Sequence, residues 1–323
     1  MPSRRLAAIQ KSTIVRSFGV LERAAPALGA RWAERLWFTV PRAGGRRDRL
    51  VPPGRPFRVQ VHGRAVAGET WGEGPVEGPG VELGERPGRG EGLGGGPVVY
   101  LVHGWGGWRG QLDAFAGPLV EAGYRVVAFD ALSHGDSDPG PSGPGRSNAL
   151  ELADALTAVV AANGPAAAVV AHSLGATAAA YAMRNGLAVD RAVFVAPMAD
   201  PLPYTRTFAA RLGFGERVRT RLVRRIERRV GVALSVFGVP AMAARMATPP
   251  LLLVHDRHDA ETGWSDSQAI ADAWPGARLV TTTGLGHRRI LRDPAVVAEV
   301  TGFLGRSPAG CGPALPGPQR AAN

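Results

Sequence analysis

Cysteine and lysine are nearly missing from this 323-residue chain: Cys311 is its only cysteine and Lys11 its only lysine. One cysteine excludes an intrachain disulfide and any metal site built on thiolates. Long apolar runs are missing as well. No stretch of about 18 apolar residues occurs, so no membrane-spanning helix is expected. Near the N-terminus, Arg4, Arg5, Lys11 and Arg16 interrupt every candidate apolar core of a signal peptide, and cytoplasmic residence is the expectation. Basic motifs interleaved with aromatics are also lacking, which argues against a nucleic-acid partner. The formal charge is +11, yet of the 38 basic side chains all but Lys11 are arginine. Arginine, alanine, glycine and proline in joint excess are what a GC-rich genome encodes, so part of that charge reflects codon composition.

What remains is an ordinary apolar content of 45%, enough to bury a sizeable core. Residues 1–50 read as a helical arm. Ile14, Phe18 and Leu21 recur at helical spacing, Pro26 interrupts, and Leu28, Trp32 and Leu36 resume the pattern. The arm is expected to pack on the main domain, with a membrane-surface or partner-binding helix as the alternative. A main domain is expected over 51–304, followed by a disordered tail over 305–323. Phe57–Val61 and Arg64–Trp71 suit a hairpin across His62-Gly63. Residues 72–96 are glycine, proline and glutamate with almost no large apolar side chain, and read as a flexible insertion.

From Val98 onward, short apolar strands alternate with helical patterns. Candidate strands are Val98–Val102, Arg125–Phe129, Ala167–Ala171, Ala192–Val195, Leu251–His255 and Ala277–Thr281. Such alternation predicts an α/β fold, a mostly parallel central sheet with helices on both faces, whose ligands bind at the carboxyl ends of the strands. Residues 201–249 break the rhythm. Val218, Leu222, Ile226 and Val230 lie at four-residue spacing among Arg217, Arg219, Arg221, Arg224, Arg225, Arg228 and Arg229, giving an amphipathic helix with a basic outer face. Placed before a strand, this insertion reads as a helical lid.

Candidate chemistry sits at four strand ends. Ala171-His172-Ser173-Leu174-Gly175 joins a buried strand to an alanine-rich helix, so Ser173 reads as a nucleophile held on a tight turn. Small residues are needed on both sides of it, and Ala171 and Gly175 supply them. His103-Gly104-Trp105-Gly106-Gly107 follows the first core strand, and the N–H groups of Trp105 and Leu174 are candidate oxyanion donors. His255-Asp256-Arg257-His258-Asp259 follows a third strand. Asp259, past the strand end, is preferred to Asp256 as the carboxylate that orients a base. A metal reading of that cluster is disfavoured, because adjacent positions point opposite ways and no further ligand set is present. His287, in Gly284-Leu285-Gly286-His287, is the candidate base, while His172 beside Ser173 reads as a packing residue. The order Ser…Asp…His completes the pattern.

Together these motifs resemble the α/β-hydrolase superfamily over about Phe57 to Leu304, apart from the Gly-rich insertion. Phe129-Asp130-Ala131-Leu132-Ser133-His134-Gly135 is similar to the family's loop after the second core strand, with Leu132-Ser133 where Pro-Gly is more usual. The resemblance implies Ser173, Asp259 and His287 as a catalytic triad and Trp105 and Leu174 as the oxyanion hole. His103, Gly104 and Gly175 would support them. It further implies a serine esterase acting on small-molecule esters through an acyl-enzyme, with no metal or organic cofactor. An acyltransferase on the same triad and a non-catalytic binding protein on the same fold are the alternatives. The basic lid reads first as codon bias toward arginine and a solvated face, with anionic substrates or a membrane surface as the alternative.

Overall fold

The strands at the centre are almost wholly apolar, and each places alternate residues on opposite faces. A computed structural model describes residues 4–41, 49–72 and 96–305, with side chains from residue 12 onward. The insertion expected at 72–96, except its two end residues, and the tail expected at 305–323, except Gly305, lie outside the described residues.

Among the described residues, eight strands form one sheet: β1 (Arg55–Val61), β2 (Arg64–Trp71), β3 (Val98–Val102), β4 (Arg125–Phe129), β5 (Ala166–His172), β6 (Val189–Val195), β7 (Leu251–Asp256) and β8 (Arg278–Thr282). Their order is β1-β2-β4-β3-β5-β6-β7-β8. The β1–β2 and β2–β4 pairs are antiparallel and every other pair is parallel. The expected hairpin across His62-Gly63 is thus β1–β2, and the expected mostly parallel sheet is found.

Helices α1 (Arg4–Ala24), α2 (Pro26–Trp37), α3 (Ala116–Glu121), α4 (Ala149–Asn163), α5 (Leu174–Arg184), α6 (Pro201–Leu212), α7 (Glu216–Val230), α8 (Val239–Ala243), α9 (Trp264–Ala273), α10 (Gly286–Arg289) and α11 (Pro294–Gly305) complete the regular structure, with short 3₁₀ turns between some of them. Two apolar layers sandwich the sheet. Tyr100, Phe129, Val169, Phe194 and Leu253 pack on one face against α4, α5, α8 and α9. Leu101, Ala128, Val170, Val193 and Leu252 pack on the other against α3 and α11, with Leu112 and Phe115 of the 3₁₀ turn Arg109–Phe115.

A third cluster lies away from the sheet. Phe18 of α1, Ala30 and Ala33 of α2, Ala209 of α6 and Val218, Leu222 and Ile226 of α7 are buried together. Within the domain expected over 51–304, the arm therefore packs mainly on the 201–249 insertion. The reason lies in supply and demand for apolar surface. Both sheet faces are already covered, whereas the apolar stripe of α7 needs a partner, and α2 carries the matching one. Contact between the arm and the rest of the domain includes Val40 N–H to Gly145 O at 2.9 Å and Ser147 N–H to Phe38 O at 3.1 Å.

Phe18 is fully buried and stacks on Trp32 with ring centroids 4.4 Å apart. Phe18→Ala is expected to cost about 3–5 kcal/mol, the usual loss for emptying an aromatic site in a core. A thermal melt followed by circular dichroism checks this; an unshifted midpoint would mean that the arm is not part of the cooperative unit.

Candidate active site

Local chain geometry at the end of β5 is strained. Ser173, between β5 and α5, has φ 53° and ψ −124°, a combination that costs a residue with a β-carbon about 1–3 kcal/mol. The turn is held by its surroundings. Ser173 N–H donates to Val195 O at 3.0 Å, and Ser173 O accepts from Ala176 N–H at 3.0 Å. A methyl at position 175 would lie 2.4 Å from His103 O, and one at position 104 would lie 2.8 Å from Ser173 Cβ. Only glycine allows this approach at either position. Ala171, fully buried in β5 between Val102 and Phe194, does not hinder the turn.

His287 arrives on α10, after β8, and Asp259 on the loop after β7. Asp259 Oδ2 lies 2.7 Å from His287 Nδ1. Since the carboxylate can only accept, Nδ1 carries the proton and Nε2 is the basic nitrogen. Asp259 Oδ1 accepts from the N–H groups of Glu261 and Thr262 at 2.7 and 3.1 Å. Burial pushes the Asp259 carboxyl up, but hydrogen bonds from His255 and His287 outweigh it and hold the group far below the ordinary carboxylate range. Asp256, the rejected candidate, is committed elsewhere. It accepts from Thr282 Oγ1 at 2.9 Å, Leu285 N–H at 2.8 Å and His258 N–H at 3.0 Å, and so anchors the loop that carries His287.

Ser173, Leu174, Trp105 and His287 line one cavity of about 410 Å³. Leu36, Trp37 and Phe38 of the arm and Phe208, Ile226, Val230 and Phe237 of the insertion supply much of its apolar wall. Of the sequence-predicted residues, Asp259 stands behind His287, and His103, Gly104 and Gly175 lie beneath Ser173 in the packing just described. The Leu174 N–H is at the first position of α5, where a helix leaves its N–H groups unpaired.

Three further histidines surround this point, and each is tied to backbone. His103 Nδ1–H donates to Gly104 O at 2.7 Å while its Nε2 accepts from Ala131 N–H at 3.0 Å. His134 repeats the pattern, with Leu132 O at 3.0 Å and Gly106 N–H at 3.2 Å. A backbone N–H can only donate, so both rings are neutral, and they pin the glycine loop after β3 to the loop after β4. His172 Nε2–H donates to His287 O at 3.0 Å, with the two rings 4.5 Å apart. Beneath them, buried Asp130 and Glu69 are both paired with Arg109, and Glu69 also with Arg49. Burial raises the Glu69 carboxyl, but hydrogen bonds from Arg49 and Arg109 more than reverse this and leave it low.

A sequence model of the Alpha/beta hydrolase family matches residues 99–300. The chain belongs to the alpha/beta hydrolase family. The putative carbamate hydrolase RutD of Pseudomonas savastanoi is 42% identical over 73 residues, which are 23% of this chain and 26% of that protein. The chain thus aligns with about a quarter of the length of that curated relative. Among solved structures, esterase Est1E of Butyrivibrio proteoclasticus with ferulic acid bound superposes with a TM-score of 0.54 at 17% identity. It covers 77% of this chain and 96% of its own. A thermophilic esterase from Thermogutta terrifontis gives 0.53 at 17% identity, covering 77% and 97%. At such identity these likenesses describe the fold.

Within this alpha/beta hydrolase chain, sequence reasoning missed several residues at the site. Thr262 Oγ1 lies 3.2 Å from His287 Nδ1 and 3.3 Å from Asp259 Oδ2. His255 Nε2 lies 3.5 Å from the same Asp259 oxygen and its Nδ1 is bonded to Ser267 Oγ at 2.7 Å. His255, at the end of β7 and four residues before Asp259, was open to recognition from its position. Thr262 carries no comparable signal. Nor did the arm suggest itself as cavity wall, since its apolar spacing reads as packing wherever it goes.

The neutral histidines set the acid response of the fold. Burial, with the neighbouring His103, pushes His134 down to about 3, and burial with the neighbouring His287 does the same to His172. His103 is pushed down as well, by burial. Because the folded values lie below the usual 6.5, the unfolded chain binds more protons. Stability is therefore complete above that value and is lost as pH falls from about 6.5 toward 3. Urea midpoints measured across this interval are expected to fall, and to fall less steeply in His134→Gln. An equal slope in the two proteins would show that His134 titrates normally.

Proposed function

We propose that the protein is a serine hydrolase of carboxylic esters that works through Ser173, His287 and Asp259. The observation that carries this reading is the 2.7 Å contact of Asp259 with His287 Nδ1, beside a serine on a strained turn in the same cavity. In this mechanism His287 Nε2 takes the Ser173 proton as the oxygen attacks the ester carbonyl. Asp259 keeps the ring in the tautomer that leaves Nε2 basic, and stabilises the imidazolium once formed. The developing oxyanion is met by the N–H groups of Trp105 and Leu174, where each donor is worth on the order of a hundredfold or more in rate. His287 then returns the proton to the leaving alcohol, and water cleaves the acyl-enzyme by the same steps in reverse.

Substrate class is argued from the cavity. Its wall is mainly apolar, with Tyr204, Thr207, Asn148 and Arg211 among its polar groups, which suits an acyl or alcohol moiety of small-molecule size. The esterases among the structural relatives, one of them holding ferulic acid, agree with carboxylic esters as the first class to assay. The partial match to a putative carbamate hydrolase makes carbamates the second.

Ser173→Ala is expected to abolish labelling by a fluorophosphonate probe and to lower hydrolysis of short-chain esters by about ten-thousand-fold or more. Labelling that persists in the folded variant would sink the assignment.

The two aspartates separate cleanly. Asp259→Asn is expected to lose about ten-thousand-fold in kcat, because the amide favours the wrong tautomer of His287. Asp256→Asn is expected to act mainly on the melting temperature. Comparison of kcat and melting temperature in the two variants checks the choice of acid, and the reverse outcome would reassign it.

A further inference from the structure

A second concavity, of about 440 Å³, opens between α2 and α7. It shares only Phe38 with the lining of the substrate cavity. Five guanidinium groups line it: Arg31 and Arg35 of α2, Arg225 and Arg229 of α7, and Arg146 of the loop before α4. The two helical pairs each have the four-residue spacing that puts both side chains on one face. Like charges at that spacing weaken a helix by about 0.2–0.5 kcal/mol per pair, and here two such pairs face each other across a groove.

One carboxylate stands among them. Glu34 is buried and accepts from Arg225 Nε at 2.5 Å, with Arg229 Nη1 at 3.7 Å. Arg229 is held further by Ser142 O at 3.0 Å and lies 5.1 Å from the centre of the Phe38 ring. Two of the five cations are thus fixed in place by a single negative charge. Among the described residues, no carboxylate pairs with Arg31, Arg35 or Arg146. A concave wall of converging positive charge concentrates its field on the groove, and a guanidinium plane matches two oxygens of a phosphate at once. Leu28 and Trp32 complete the lining with apolar surface. A bare ion would leave both the volume and that apolar surface unused.

We infer that the cleft between α2 and α7 binds a phosphate group carried on an organic moiety, as a phosphomonoester or phosphodiester. The phosphate is gripped by Arg31, Arg35 and Arg146 against the Arg225–Glu34–Arg229 strut, and the organic part lies along Leu28 and Trp32. Bound there, it ties together two helices whose other residues wall the substrate cavity. This site does not depend on the hydrolytic reading, and its test contains no turnover measurement.

The test is titration calorimetry at low salt with inorganic phosphate and glycerol phosphate. It is run beside co-sedimentation with phosphatidylcholine vesicles lacking or containing phosphatidylglycerol. Arg31→Ala/Arg35→Ala is compared with Arg224→Ala/Arg228→Ala, which removes the same charge from exposed positions of α7 outside the cleft lining. Binding is expected in the wild type, weakened about tenfold or more by the first pair and within about twofold by the second. Glycerol phosphate binding that follows this pattern identifies a soluble phosphate ester. Vesicle binding alone that follows it identifies a lipid headgroup. Equal losses in the two pairs would show general surface charge and overturn the site, as would a wild type that binds none of the probes. Arg146→Ala, on a separate loop, repeats the comparison should α2 loosen in the double variant.

Discussion

The site depends on one close approach of two backbone segments. β3 and β5 are neighbouring parallel strands, with Val102 opposite Ala171, so the loops that leave their carboxyl ends start side by side. His103 O then lies where any side chain at position 175 would have to go, and Ser173 Cβ where one at position 104 would go. With two glycines at that crossing, the chain after β5 turns sharply through a conformation that Ser173 would not adopt by itself. The start of α5 and the glycine loop after β3 consequently face the same point. The strain at Ser173 is maintained by main-chain hydrogen bonds to Val195 and Ala176, in a sheet whose central strands are buried on both faces.

A second theme is the division of labour among histidines placed at similar heights on the sheet. His103, His134 and His172 each donate to a backbone carbonyl. Burial without a neighbouring carboxylate in contact keeps such rings neutral, and neutral rings can both give and take a hydrogen bond, which makes them good fasteners between loops. His287 differs in its partner. A buried carboxylate at its Nδ1 fixes the proton on that nitrogen and leaves Nε2 as the nitrogen free to accept one. The chemistry of each imidazole follows from what stands behind it. Charge is also handled locally beneath the glycine loop, where Arg109 links Glu69, Asp130 and Asp136 and so joins β2 to the loops after β3 and β4.

Part of the cavity wall is assembled from segments nearly two hundred residues apart. α7 has an apolar stripe too narrow to form a core alone, and α1 and α2 have one that neither face of the sheet can accept. Their union buries Phe18, Val218, Leu222 and Ile226 and leaves basic side chains on the outer surfaces. Charged contacts secure the joint: Glu22 accepts from the N–H groups of Gly215, Arg217 and Val218 at the start of α7, and Glu34 from Arg225 farther along. That arrangement makes the arm part of the cavity wall as well as one side of the arginine cleft.

By itself the sequence determined the local pieces. Short continuous apolar runs specified the central strands, four-residue spacing specified α7, and small residues around Ser173 specified the turn, because each of these patterns reports on neighbours along the chain. The strand-end positions of Ser173, Asp259 and His287 were legible for the same reason. Position past the strand end already favoured Asp259 over Asp256, and the tertiary structure adds the contact itself, with Asp259 on His287 Nδ1 and Asp256 bound to the loop beside it. Tertiary structure alone placed Thr262 and His255 on Asp259, set the arm against the 201–249 insertion, and gathered Arg31, Arg35, Arg146, Arg225 and Arg229 around one groove. Those are contacts across long stretches of chain, fixed by which apolar surfaces remain uncovered once the sheet has formed, and no short pattern of residues encodes that remainder.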